Sequence, residues 1–102
     1  MKAVLVLTTA PAKAAGRLAA LLVRQKLAAC VSLKSGFVST YRWNGRIEKA
    51  REALLLIKTT RPCLPGLKKF IQKQHPYDLP ELIVIPIGDG SSEYLKWIEQ
   101  SV

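Results

Sequence analysis

The pair Asn44-Gly45, set between two long runs of alternating apolar and polar residues, constrains the fold more than any other feature of the chain. Both residues tolerate the positive φ of a type I′ turn, so the stretch from Ala28 to Thr60 reads as a β-hairpin with a two-residue loop. That loop length sets the register. Trp43 opposes Arg46, Tyr41 opposes Glu48, Ser39 opposes Ala50 and Phe37 opposes Glu52. Opposed residues share a face. One side therefore carries Phe37, Tyr41, Trp43, Glu48 and Glu52, and the other Val38, Arg42, Ile47, Lys49 and Arg51.

The second strand, Arg46 to Thr60, spans roughly 50 Å at about 3.3 Å per residue. A domain of this length is only about 33 Å across, from a radius of gyration near 13 Å. The strand must bend, bulge or project. Its outer half, Arg46 to Glu52, is charged on both faces, whereas Ala53-Leu54-Leu55-Leu56-Ile57 is apolar on both and reads as a central strand covered on both sides. A polar arm with aromatic residues attached to a buried strand suggests an element that reaches a neighbouring subunit.

The rest of the chain supplies the core for this arm. Ala3 to Thr8 is a central strand, Thr9 a candidate N-cap and Pro11 a first-turn residue of a helix to about Gln25. Ala14, Ala15, Leu18, Leu21 and Leu22 share one face of that helix, and Lys13, Arg17 and Arg24 form a basic stripe, read as solvated. Leu27 to Leu33 is the second strand, with a kink or bulge at Lys34-Ser35-Gly36. Pro62 and Pro65 fit the opening of a second helix, with Leu64, Leu67, Phe70 and Ile71 inward, which stops at His75-Pro76. Leu82 to Ile87 is the last strand, its Pro86 placing that end at a sheet edge. A final helix starts near Ser91, with Tyr94, Leu95, Trp97 and Ile98 packing back. The order β-α-β-β-α-β plus a C-terminal helix gives a single α+β domain over residues 1–102, a ferredoxin-like βαββαβ sandwich with a long β-hairpin.

Composition narrows function. No apolar run approaches the ~18 residues of a membrane span, and the first residues run into a helix rather than a cleavage site, so a cytoplasmic protein is expected. Two cysteines, Cys30 and Cys63, neither in a C-x-x-C pair, fit a reduced compartment. The net charge is +9, and residues 1 to 47 hold eight bases and no acid. This permits nucleic-acid binding, yet the aromatic spacing in Lys34 to Tyr41 does not match an RNA-recognition strand and lies on the wrong strand, so nucleic acid is set behind. No nucleophile set, structural-zinc spacing, Walker loop or G-x-G-x-x-G emerges, and no enzyme activity is expected.

His75, the only histidine, is either a helix-end cap or a metal ligand. Cys30 lies in an apolar strand, and Cys63 at a helix start beside Arg61. Glu52 and Glu81 sit near the core, where a carboxylate needs a partner or a ligand. Glu48 reads as a salt-bridging arm residue, and Tyr41 with Trp43 as interface anchors or a binding platform.

Taken together, Thr8-Thr9-Ala10-Pro11, Leu27-Ala28-Ala29-Cys30-Val31, Ser39 to Ile47, Glu52, Leu56 to Thr60, His75-Pro76-Tyr77, Pro80-Glu81 and Tyr94 to Ile98 span nearly the whole chain, which resembles the CutA family of divalent-cation tolerance proteins. The resemblance implies a homotrimer built by strand pairing between subunits and kinship with PII signalling proteins. It also implies intersubunit clefts lined by Cys30, Tyr41, Trp43, Glu52, Lys58, His75, Tyr77 and Glu81, and a link to copper or another divalent metal. His75 and then Cys30 are the expected metal ligands, Lys58 a fixed positive charge, and Tyr41 with Trp43 the aromatic wall. Similar copper-binding members can carry Cys at the position of Thr8 and a second His at that of Gln74. Those departures and the positive charge keep a small anionic ligand, bound as in a PII-like signalling module, as the alternative.

Overall fold

A computed structural model describes residues 2–102. The hairpin forms in the expected register, joining β2 (Cys30–Trp43) to β3 (Arg46–Thr60), with Tyr41 opposite Glu48 and Phe37 opposite Glu52. Asn44 and Gly45 both take positive φ, 51° and 77°, as a type I′ turn requires. Between Lys34 and Phe37 the register slips, two residues of β2 facing one of β3, and Gly36 sits there at φ +91°. The bulge lies where the hairpin arm leaves the Ala53–Ile57 centre of β3, and a bulge bends and twists the strand that carries it. The molecule measures 44 × 25 × 23 Å, the long dimension reflecting the projecting arm.

Strands β1 (Ala3–Ala10) and β4 (Ile83–Pro86) complete an antiparallel sheet in the order β2-β3-β1-β4, the split βαβ arrangement. β1 runs two residues further than its sequence suggests, pairing Thr9 with Leu54 and Ala10 with Ala53. Thr9 is therefore a strand residue and not the N-cap; Pro11 takes that position for α1 (Ala12–Arg24), with no side-chain cap bond. A three-residue 3₁₀ turn at Arg61–Cys63 leads into α2 (Leu64–Gln74), and α3 (Ser92–Gln100) is capped by Ser91, whose Oγ accepts from the Tyr94 N–H at 3.3 Å. β2 begins at Cys30 rather than Leu27, because Lys26 turns the chain at φ 58° first.

The core lies on one face of the sheet. Val4, Val6 and Ala10 of β1 and Ala53, Leu55 and Ile57 of β3 meet Leu18 and Leu22 of α1 and Leu67 and Ile71 of α2. Helix α3 packs on the opposite face, over one end only, where Leu95 and Ile98 cover Ala3 and Ala29. Two expectations are corrected here. Tyr94 and Trp97 do not join the core cluster; each is 44% exposed, and they stack on each other at 5.5 Å at its margin. Within one chain the apolar centre of β3 is covered fully on one side only: register places Leu54 and Leu56, both half-buried, with Leu5, Leu7, Ile83 and Ile85 on the face that α3 covers at one end.

Candidate functional site

The arm and the segment after α2 flank an open cavity of about 750 Å³. One wall is the inner face of the hairpin, with Ser39, Tyr41, Trp43, Ala50 and Glu52; the other is the loop from Pro76 to Glu81. Alternation puts Tyr41, Trp43 and Glu52 on this side, and the two-residue loop keeps their strands in step. Thr9 of β1 also lines it, so the cavity opens onto the same sheet face that α3 covers at one end only.

Glu52 forms its floor. The residue is only 5% exposed, and its Oε2 accepts from the Tyr77 hydroxyl at 2.8 Å. A buried carboxylate must be compensated, and this bond supplies the compensation. Burial pushes the Tyr77 phenol up to about 12, helped by the hydrogen bond and charge of Glu52 and by Tyr41. The phenol thus holds its proton as a donor to Glu52 throughout the neutral range.

His75 positions Tyr77. It ends α2 in extended conformation and is 7% exposed. Its Nδ1 accepts from the Tyr77 N–H at 3.1 Å, which leaves the proton on Nε2, 2.7 Å from the Thr9 carbonyl that accepts it. The imidazole thereby ties the end of α2 to β1 and sets the loop's first turn, while its ring lies 4.8 Å from that of Tyr77. Both ring nitrogens are engaged within the chain.

Cys30 and Lys58 lie elsewhere. They face each other across β2 and β3, in register with Leu5 of β1, whereas Glu52 lies beyond the Thr9 end. Leu5 and Thr9 are four residues apart, about 13 Å along a strand. The Lys58 ammonium donates to Ser32 Oγ at 2.6 Å and approaches Cys30 Sγ at 3.9 Å. Partial burial, and then the adjacent Cys30 thiol, raise the Tyr94 phenol above its ordinary value, placing that side chain in the same group.

Of the residues expected in one cleft, Tyr41, Trp43, Glu52, Tyr77 and Glu81 are thus brought together with His75 behind them, while Cys30 and Lys58 form a separate polar group. Arg42, Asp78 and Leu79 also line the cavity and were not anticipated. Arg42 belongs by alternation to the other face of the arm, and no local pattern marks Asp78 or Leu79. Ser32 and Tyr94 were missed as well, although Ser32 is two residues from Cys30 on the same strand face and could have been read from period two. Among the described residues, no three His, Cys, Asp or Glu side chains are grouped to hold a metal ion. With His75 and Cys30 apart, the donors of a single chain do not fit a copper or zinc centre. No helix among the described residues is long and apolar enough to cross a membrane.

Comparison with known proteins agrees with this architecture. Residues 4–101 match the model of the CutA1 divalent ion tolerance protein family. The divalent-cation tolerance protein CutA of Thermus thermophilus is 40% identical over 101 residues, covering 99% of this chain and 98% of that protein. The crystal structure of CutA1 from Oryza sativa superposes with a TM-score of 0.95 at 38% identity, covering 99% and 94% of the two chains. A PII-like protein CutA from Nostoc sp. PCC 7120 does so with a TM-score of 0.90 at 33% identity, covering 99% and 96%. The shared fold, the long arm and the full-length match lead to one assignment: this chain belongs to the CutA1 divalent ion tolerance protein family.

Proposed function

We propose that the chain is a cytoplasmic, homotrimeric, non-enzymatic divalent-cation response protein whose ligand cleft is completed by a neighbouring subunit. One observation carries this reading. Leu5, Leu7, Leu54, Leu56, Ile83 and Ile85 share a sheet face that, among the described residues, only α3 covers, and only at its Ala3 end, with Ile83 48% and Ile85 40% exposed. Contiguous apolar faces of this kind are association surfaces. Covering each half-exposed aliphatic chain returns about 1 kcal/mol, and the arm, with Tyr41 and Trp43 each 44% exposed, extends the contact.

Because the Glu52 cavity opens onto that same face, association would turn it into a cleft between subunits. His75 and Cys30 are the donors that a copper-type ion prefers. They are apart in one chain, so their joint use requires Cys30 of one subunit to approach His75 of another, and His75 to give up one of its hydrogen bonds. The second reading, a small anion as in a PII-like module, is favoured at Lys58, whose ammonium and the Ser32 hydroxyl form a compact donor pair.

Titration calorimetry separates the two. Copper(II) or zinc(II) binding near one ion per subunit, weakened at least tenfold by His75→Ala, supports the metal reading. Heat from nucleotides or organic anions that vanishes in Lys58→Ala supports the other. Trp43→Ala should lower the association constant of the trimer, and an unchanged mass distribution on dilution would remove Trp43 from the interface.

A further inference from the structure

Charge is sorted by layer in this molecule. Helix α1 and the turn after it carry Lys13, Arg17, Arg24 and Lys26, all exposed, and residues 12–26 contain no acid. The second helical segment carries Arg61, Lys68, Lys69 and Lys73, all exposed, and residues 61–74 contain no acid. The seven acids stand on the arm, in the cleft loop, before α3 and on α3, which packs on the other side of the sheet.

The two basic segments form one surface. α1 and α2 share the same core, and they run antiparallel. Arg17 donates to the Gln74 carbonyl at 3.3 Å at one end, and the Cys63 thiol approaches the Lys26 carbonyl at 3.8 Å at the other. At about 100° per residue, the stripe Lys13, Arg17 and Arg24 points almost directly away from the buried stripe Ala15, Leu18 and Leu22. Lys69 and Lys73 are similarly turned from Leu67, Phe70 and Ile71. The layer therefore presents cations along two antiparallel segments, Lys13 to Arg24 over about 16 Å and Lys69 to Lys73 over about 6 Å at about 1.5 Å per residue.

We propose that this helical layer binds the phosphodiester backbone of double-stranded nucleic acid, without reading base sequence. Cations on two neighbouring segments can engage phosphates of both strands of a duplex, and a length of about 16 Å spans some five base pairs. Val23 is the only large aliphatic or aromatic side chain exposed on the layer among the described residues. The layer thus lacks the aromatic and leucine anchors with which helices settle into a lipid interface, and the stacking platforms that single strands require. The contact is electrostatic and lies opposite the face used for subunit association, so it is independent of the ligand cleft.

The test is fluorescence anisotropy with a 20-base-pair duplex of mixed sequence, as DNA and as RNA, at 50 and 200 mM salt. The expected result is micromolar binding to at least one duplex at the lower salt, weakened about 10³-fold at the higher, as six phosphate contacts require. Lys69→Glu with Lys73→Glu should weaken binding at least tenfold and make the salt dependence shallower by about two contacts. Lys49→Glu with Lys96→Glu, an equal change in net charge on the arm and on α3, away from the layer, should change affinity less than twofold, with circular dichroism confirming the fold of both variants. No binding at 50 mM salt, equal losses in both double variants, or binding to phosphatidylserine vesicles but to neither duplex would each overturn the proposal.

Discussion

Tyr77→Phe removes one oxygen from the floor of the cleft, and its consequences can be worked from the geometry. The lost bond is charge-assisted, 2.8 Å long and directed at a carboxylate that is 5% exposed. Such a bond contributes about 1.5–3 kcal/mol, and the carboxylate left behind is short of a donor. A loss of about 2 kcal/mol at pH 7 follows. The pH dependence gives a second signature. Burial, followed by the bond and charge of Glu52, raises the Tyr77 pKa to about 12. The folded state therefore holds the proton more tightly than the unfolded chain, whose tyrosine titrates near 10. This contribution is fully present below about pH 10 and is lost as the pH rises through about 12. In urea denaturation at fixed protein concentration, the gap between wild type and Tyr77→Phe should stay constant from pH 7 to about 9 and then close toward pH 12. A neutral effect at pH 7, or a gap that persists undiminished at high pH, would refute the assignment of the Tyr77–Glu52 pair.

Three further outcomes follow from single observations. The Thr8 hydroxyl is fully buried and has no hydrogen-bond partner among the described residues, so Thr8→Val should stabilise the protein by about 1 kcal/mol, read as a higher urea midpoint with an unchanged slope. Gly36→Val places a β-branched residue at φ +91° in the bulge and should cost about 1–3 kcal/mol, measured the same way. His75→Ala breaks both bonds that tie α2 to β1 and to the cleft loop; it should cost about 2 kcal/mol and speed amide exchange at Tyr77, whereas unaltered exchange there would deny the histidine its positioning role.

The parts of the fold that were legible in the sequence are those decided by short-range chemistry. Asn44-Gly45 specifies its own turn, and period two then carries the register as far as Phe37 and Glu52. Gly36 marked the bulge because few other residues accept its φ. The start of α1 was misplaced because pairing with β3 extends β1 through Thr9 and Ala10, a long-range effect that outweighs a local cap preference. The cleft was legible in its membership but not in its wiring. Tyr77 and Glu52 are 25 residues apart, and nothing local announces their bond. The same limit separated Cys30 and Lys58 from His75. A resemblance across the whole chain assigns residues to a shared site, but only the sheet register shows that about four residues of strand divide them.

The apolar sheet face and the arm make association the central claim, and sedimentation equilibrium at micromolar concentration tests it most directly. The expected result is a single species of three times the 11.3 kDa chain mass. A species of one chain mass across that range would contradict the claim, because the face of Leu5, Leu7, Leu54, Leu56, Ile83 and Ile85 would then stand open to water.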